Sequence, residues 1–374
     1  MDFEPTAEQK GLVDSTRSLL TAQASLERAR DLIDGPAGFD AELWRRGVEL
    51  GWPALAVPED DGGLGQRSID LALVAVELGR SLASTPFIPT VVAADALTRC
   101  DSERKAKLLQ SICEGALIAS WAHAEYGRPW GAAGVTTAAR AQDGGYVLDG
   151  SKVSVPDADS AQLLIVDAVL DGAPARFLVP TDSAGVRIDR QQTLDITRSY
   201  CDVTLADVAV DAAALLARGA AASRSLERTM QLGAVLTCAE LVGIGQRLLE
   251  MTVTYVKERE QFGRPVGSFQ AVKHKCADMR IWVQASTAAT YFAALALDSE
   301  HHDADRATSI AKAYVSDAIN RVAGHALQLH GGIGFTWEHD LHLYMRRARV
   351  NSVLCGDARH HRERLCATLE DQFA

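Results

Sequence analysis

The side chains best placed to hold a ligand fall between Arg259 and Gln270, in the run REQFGRPVGSFQ. A guanidinium (Arg259), an aromatic ring (Phe262) and an amide (Gln270) share this one short corner. Such a set suits a ligand that is anionic at one point and planar at another, because the guanidinium fork is always charged and can meet two phosphate or carboxylate oxygens at once. The same residues also read as an ordinary helix-loop-helix corner with a solvated Arg. Other nucleotide signatures fail. Gly243-Ile244-Gly245 supplies a GxG, but the third Gly is absent and the flanking residues are helical, so no strand leads into it as a Rossmann turn requires. Gly331-Gly332-Ile333-Gly334 is not followed by the Lys-Ser/Thr of a P-loop, and neither HExxH nor GxSxG occurs.

Long helices must carry the corner. Thr229 to Lys257 is apolar and free of Pro, which predicts a buried helix, and Gly263 and Pro265 then interrupt it. That helix is read over Ala221 to Arg259, and three more follow: Phe269 to Asp298, Ala304 to His330 and a last one near Arg359 to Glu370. Several are apolar nearly all round, the pattern of helices buried between neighbours in a four-helix bundle. The first 115 residues are also helical. Thr6 with Gln9 forms a capping-box pattern opening a helix through about Gln23, and Phe39 to Leu50 and Ser68 to Leu82 follow. Trp52 to Gly65 lies between those two and cannot be helical, given Pro53, Pro58, Gly62, Gly63 and Gly65. From about Ala116 to Val210 the period changes to short Val- and Leu-rich runs separated by Gly, Asp and Pro, such as AQLLIVDAVL and CDVTLADVAV. The expectation is an α+β multidomain chain: a helical domain over 1–115, an antiparallel β-barrel or sandwich over 116–211, and a helical bundle over 212–374.

A chain of 374 residues, 47% hydrophobic, is long enough for two or three domains with a large interior. Its formal charge of -11 argues against nucleic acid or an anionic membrane as the main partner. Any bound phosphate must be met by a few local cations and backbone amides. Seven Cys, an odd number without CxxC spacing, favour neither zinc nor a disulfide framework and fit a reducing cytoplasm. The N-terminus has no signal-peptide pattern, and no uninterrupted apolar stretch approaches 18 residues, so a soluble protein is expected.

Three motifs occur together in one order: PEDDGGLG at Pro58 to Gly65, RxxFGxxxxxFQ at Arg259 to Gln270, continued as SFQAVKHKCADM through Met279, and QLHGGIGF at Gln328 to Phe335. With them the chain resembles the acyl-CoA dehydrogenase family over nearly its whole length. The resemblance implies that family's fold, FAD as cofactor, an acyl-CoA thioester as substrate and electron-transfer flavoprotein as acceptor. It would place Arg259 on the FAD pyrophosphate, Phe262 against the dinucleotide, and Gln261 and Gln270 as hydrogen-bonding groups. Val266 and Phe269 would be apolar walls, while Gln328, Gly331 and Gly332 match a second flavin-contacting segment. His330, in the same turn, reads as a packing residue. The PEDDGGLG loop resembles one lying near the acyl pocket, and it also reads as a tight connection between helices.

The same comparison exposes gaps. In the family a carboxylate removes the α proton while the β hydride goes to flavin, which needs a base with a raised pKa. At its most frequent position this chain has Cys355, and at the alternative one Gly233. Two acids remain: Asp357, two residues beyond Cys355, and Glu240 in the apolar run CAELVGIG. Glu240 stands about 700° around the helix from Gly233, thus on nearly the same side, and about 10 Å further along it. It reads as a substitute base or as a structural ion pair. Where the family usually has TEPGAGSD this chain has AEYGRPWG from Ala124, and the Trp and Thr beside the flavin ring correspond to Ser154 and Pro156. Residues for this chain's own flavin are missing, while those reaching a neighbour's flavin are kept. That pattern resembles the degenerate subunit of heteromeric α2β2 dehydrogenases acting on steroid-derived CoA thioesters. It implies a role in lipid metabolism and steroid degradation, with flavin and base supplied by a homologous partner. A self-sufficient homo-oligomer using Glu240 or Asp357, a flavin monooxygenase or oxidase on the same fold, and a structural subunit without flavin contact remain as alternatives.

Overall fold

The computed structural model describes residues 4–33, 38–299 and 303–373. Six helices form the N-terminal layer: α1 (Ala7–Gln23), α2 (Leu26–Ile33), α3 (Ala41–Glu49), α4 (Ser68–Ser81), α5 (Phe87–Thr98) and α6 (Lys105–Cys113). The expected capping box opens α1: the Gln9 amide donates to Thr6 Oγ1 (3.2 Å) and the Thr6 amide to Gln9 Oε1 (3.0 Å), so two otherwise orphaned donors satisfy each other's residues. Helix α4 is buried along nearly its whole length.

Eight strands follow: β1 (Ala119–Ala122), β2 (Ala138–Gln142), β3 (Gly145–Pro156), β4 (Leu163–Leu170), β5 (Ala173–Pro180), β6 (Val186–Arg190), β7 (Tyr200–Asp211) and β8 (Leu215–Arg218). They pair in the order β6-β7-β3-β2-β4-β5-β8, with β1 added beside β4. Asp143-Gly144 and Asp171-Gly172, all at positive φ, turn β2 into β3 and β4 into β5, as Asp-Gly favours in two-residue hairpins. The sheet is mixed and not purely antiparallel, because β1 and β2 both run parallel to β4. A period-2 pattern fixes which face a side chain takes but carries no strand direction, so this feature was invisible in the runs themselves.

The C-terminal bundle contains α7 (Ala220–Glu258), a two-residue ladder of β9 (Glu260–Gln261) and β10 (Arg264–Pro265), α8 (Gln270–Asp298), α9 (Ala304–His330), α10 (Leu341–Asn351) and α11 (Ala358–Phe373). Helix α10 lies between the third and fourth expected helices. Helix α7 does contain an 18-residue window apolar enough for a bilayer, unlike the expectation from uninterrupted runs, but 83% of that window is buried inside the fold. The unclaimed GxG has a packing explanation. A Cβ on Gly243 would stand 1.9 Å from Val76 O, one on Gly79 would stand 2.2 Å from Glu240 O, and one on Gly245 would meet Ile319 Cδ1 at 2.6 Å. Glycine therefore lets α4 and α7 cross backbone against backbone, with α9 close behind.

Candidate functional site

Arg259 caps α7, its amide donating to Tyr255 O (2.8 Å), and the chain then doubles back: Arg264 pairs with Gln261 and Pro265 with Glu260. Phe262 and Gly263 form the tip, with φ of 55° and 74°. A two-residue hairpin tip with both φ positive is normally Asn-Gly or Asp-Gly, so a bulky ring at the first position is strained. That ring is 92% exposed. Its only aromatic neighbour among the described residues is Phe269, edge-on at 6.1 Å, and the Arg264 guanidinium caps the far ring at 4.1 Å from its centroid. The tip therefore holds an aromatic ring in solvent at a backbone conformation that costs strain.

Beside this tip lies an open groove of about 720 Å³ whose walls include Arg259, Gln261, Val266, Lys275, Gln328, Gly331 and Gly332. Six sequence-predicted residues thus come together, three from the α7–α8 connection and three from the end of α9 and the turn after it. Phe262, Phe269 and Gln270 stand at its corner without lining it. Arg259 is exposed and has no ion-pair partner among the described residues. Gly331 ends α9 at φ 62°, with open space where a Cβ would be. His330 is buried, shares a hydrogen bond with Ala326 O (2.8 Å) and stacks on Tyr255 at 4.6 Å, the packing role its turn suggested.

The two base positions meet elsewhere. Gly233 and Cys355 line one chamber, and a Cβ on Gly233 would stand 2.8 Å from Cys355 Sγ. Its walls also include Ser154, Pro156, Arg198, Tyr200, Trp121, His123 and Trp130, and among the described residues no carboxylate lines it. Its volume is about 60 Å³. That is room for about two waters, against several hundred Å³ in ordinary ligand sites. Burial pushes the Cys355 thiol up to about 11. The PEDDGGLG loop lines neither cavity; it reaches α6 instead, through Asp61 and Lys105 at 3.5 Å.

Glu240 is wholly buried behind this chamber, and the ion-pair reading is the one the geometry supports. Its carboxylate accepts two hydrogen bonds from Arg198 (2.9 and 2.6 Å), one from Arg347 (2.9 Å) and one from Asn351 Nδ2 (2.7 Å). Burial alone would raise its pKa, but the charges of Arg198 and Arg347, with these hydrogen bonds, hold it below the usual carboxylate range. A base needs the opposite shift. Asp357 is exposed and accepts the His360 amide at 2.8 Å, which fixes the start of α11. Neither acid lines the chamber.

Residues 6–116 match the model of the acyl-CoA dehydrogenase N-terminal domain, and 222–369 that of the C-terminal domain. Acyl-CoA dehydrogenase IpdE2 of Mycolicibacterium smegmatis is 32% identical over 359 residues, covering 96% of this chain and 97% of its own. The chain belongs to the acyl-CoA dehydrogenase family. Among solved structures, the ChsE4-ChsE5 complex from Mycobacterium tuberculosis superposes with a TM-score of 0.89 at 30% identity, covering 99% of both chains. A Tcur3481-Tcur3483 steroid ACAD variant does so at 0.88 and 29% identity, covering 98% of each. The 60 Å³ chamber, with Trp130 in its wall, is far smaller than the several hundred Å³ that a flavin-sized group fills. The groove at the corner fits part of an anionic, planar group, with an unpaired guanidinium and glycine backbone open to approach. Sequence reasoning missed Trp130, Arg198, Arg347 and Asn351. The first was in view as part of AEYGRPWG, but nothing local to that run says that the ring turns inward. Two arginines at Arg346 and Arg347 gave no sign of which one is buried.

Proposed function

We propose that this chain is the subunit of a heteromeric acyl-CoA dehydrogenase that completes the FAD site of a homologous, base-carrying partner. The observation that carries this reading is that Gly233 and Cys355 meet in one small chamber, to whose wall the described residues contribute no carboxylate. Bound FAD would accept the β hydride of an acyl-CoA thioester, and the α proton would go to the partner's base. This chain's share is binding and orientation. Arg259 would pair with the pyrophosphate, Phe262 would cover the dinucleotide, Gln261, Gln270 and Gln328 would donate hydrogen bonds, Val266 and Phe269 would wall the site, and Gly331 and Gly332 would let backbone approach it. The likeness to a two-component complex and to a steroid ACAD supports a heteromer acting on a steroid-derived thioester; an α2β2 arrangement, the cytoplasm as its place and electron-transfer flavoprotein as acceptor complete the proposal.

The test is the visible spectrum of the purified chain, alone and co-expressed with a homologous dehydrogenase chain. A colourless chain that gains flavin only in the mixed complex is expected, and Arg259→Ala should lower flavin retention there by on the order of tenfold or more, the loss of one charge-assisted contact. Stoichiometric flavin on the chain alone, or unchanged retention in the Arg259 variant, overturns the reading.

A further inference from the structure

Trp130 lines both the inner chamber of about 60 Å³ and an outer surface cleft of about 320 Å³, and among the described residues it is the one side chain common to both walls. Its ring lies 5.5 Å from His123 and tilted by 25°, and His123 lies 4.9 Å from Trp121 at 24°, the spacing of stacked aromatics. The platform beneath is rigid. One buried carboxylate, Asp167, accepts from Trp121 Nε1 (2.6 Å) and pairs with His123 Nδ1 (2.9 Å), while Arg176 donates to its other oxygen at 2.7 Å. The loop above is equally tied. The Gly131 amide donates to His123 Nε2 (3.2 Å), and Glu125 accepts from the Thr136 and Thr137 amides (2.9 Å each) and from Lys152 Nζ (2.7 Å). Gly131 sits at φ 100°, where a side chain is strained, so the backbone can fold back just after the Trp.

An aromatic platform fixed from below thus carries a planar bicyclic ring delivered by the chain itself. We propose that Trp130 is a built-in plug: it takes the seat of a planar aromatic ligand, seals Cys355 and Gly233 from the surface cleft, and with its ring removed leaves a chamber that accepts an indole-sized molecule. The plug stands independently of which chain holds flavin, because its test needs none.

Cys355 is the reporter and exposed Cys366 the internal reference. The full chain, in whatever assembly it forms, is treated with N-ethylmaleimide, and both peptides are followed by mass spectrometry. In the wild type Cys355 should label far more slowly than Cys366, because labelling must wait for local opening. Trp130→Gly should speed Cys355 labelling by on the order of tenfold or more, and added indole should slow it again. Trp130→Phe, which keeps a stacked ring, should stay slow. Should Trp130→Gly not fold, Trp130→Val carries the same comparison. Labelling of Cys355 as fast as Cys366 in the wild type, or labelling in the truncated variant that is unchanged and indifferent to indole, overturns the proposal.

Discussion

Replacing Glu240 by Gln separates structural from chemical roles in this fold. The side chain keeps its shape but loses the charge that faces two buried guanidinium groups, Arg198 and Arg347, which are themselves almost wholly buried. Arg347 keeps its other buried carboxylate, Asp195, at 2.6 Å, but Arg198 loses its hydrogen-bonded one, and breaking a buried pair this way costs about 3–5 kcal/mol because the remaining charge stays out of water. Unfolding entropy near the melting point is about 2.1 cal/mol/K per residue, so 374 residues give roughly 0.8 kcal/mol/K and a fall in Tm of about 4–6 °C. The acid limb follows from the sign of the shift. A carboxylate whose folded pKa is depressed adds stability above its unfolded pKa, near about 4.3, and loses it as pH falls through the lower folded value. Glu240→Gln should therefore flatten stability against pH below about 4.3 while lowering it at neutral pH. Urea unfolding of wild type and variant across pH 3 to 7 measures both. An unchanged midpoint with loss of turnover in the assembled enzyme would falsify the structural assignment and return Glu240 to the role of base.

Two further substitutions test the crossing and the tip. Gly243→Ala should cost about 1–3 kcal/mol in urea unfolding, because its Cβ would stand 1.9 Å from Val76 O and neither backbone can retreat; a neutral effect would mean that α4 and α7 are further apart than described. Phe262→Asn should relieve about 1 kcal/mol of left-handed strain at the hairpin tip yet reduce flavin retention in the mixed complex. Retention equal to wild type would remove Phe262 from the proposed cofactor contacts.

Local chemistry made much of the fold legible. The capping pair at Thr6 and Gln9, the Pro-free run of α7 and the break at Gly263 and Pro265 each act over a few residues, and each element appears where those residues put it. Helix α10 escaped notice because LHLYMRRARVN combines buried Leu343, Tyr344 and Arg347 with charges at neighbouring positions, and a buried Arg is indistinguishable from a solvated one until its carboxylate is seen. The parallel pairing of β1 with β4 joins Ala119 to Leu163 across a long stretch of chain and leaves no trace in either run. At the site, the groove residues were legible because motif spacing survives in the sequence. Closure of the chamber was not, since it depends on Trp130, His123 and Trp121 meeting through folded backbone.

The exposed rings at Phe262 and, on the loop after α9, at Phe335 and Trp337 bear on how a cell would handle this polypeptide. An uncovered copy offers just the kind of oily projections that chaperones and quality-control proteases recognise. In the heteromer proposed above, orphaned molecules would be cleared, and steady-state abundance would track supply of the partner chain that shields those rings. Balanced synthesis of two messages would then be built into the surface of the subunit itself.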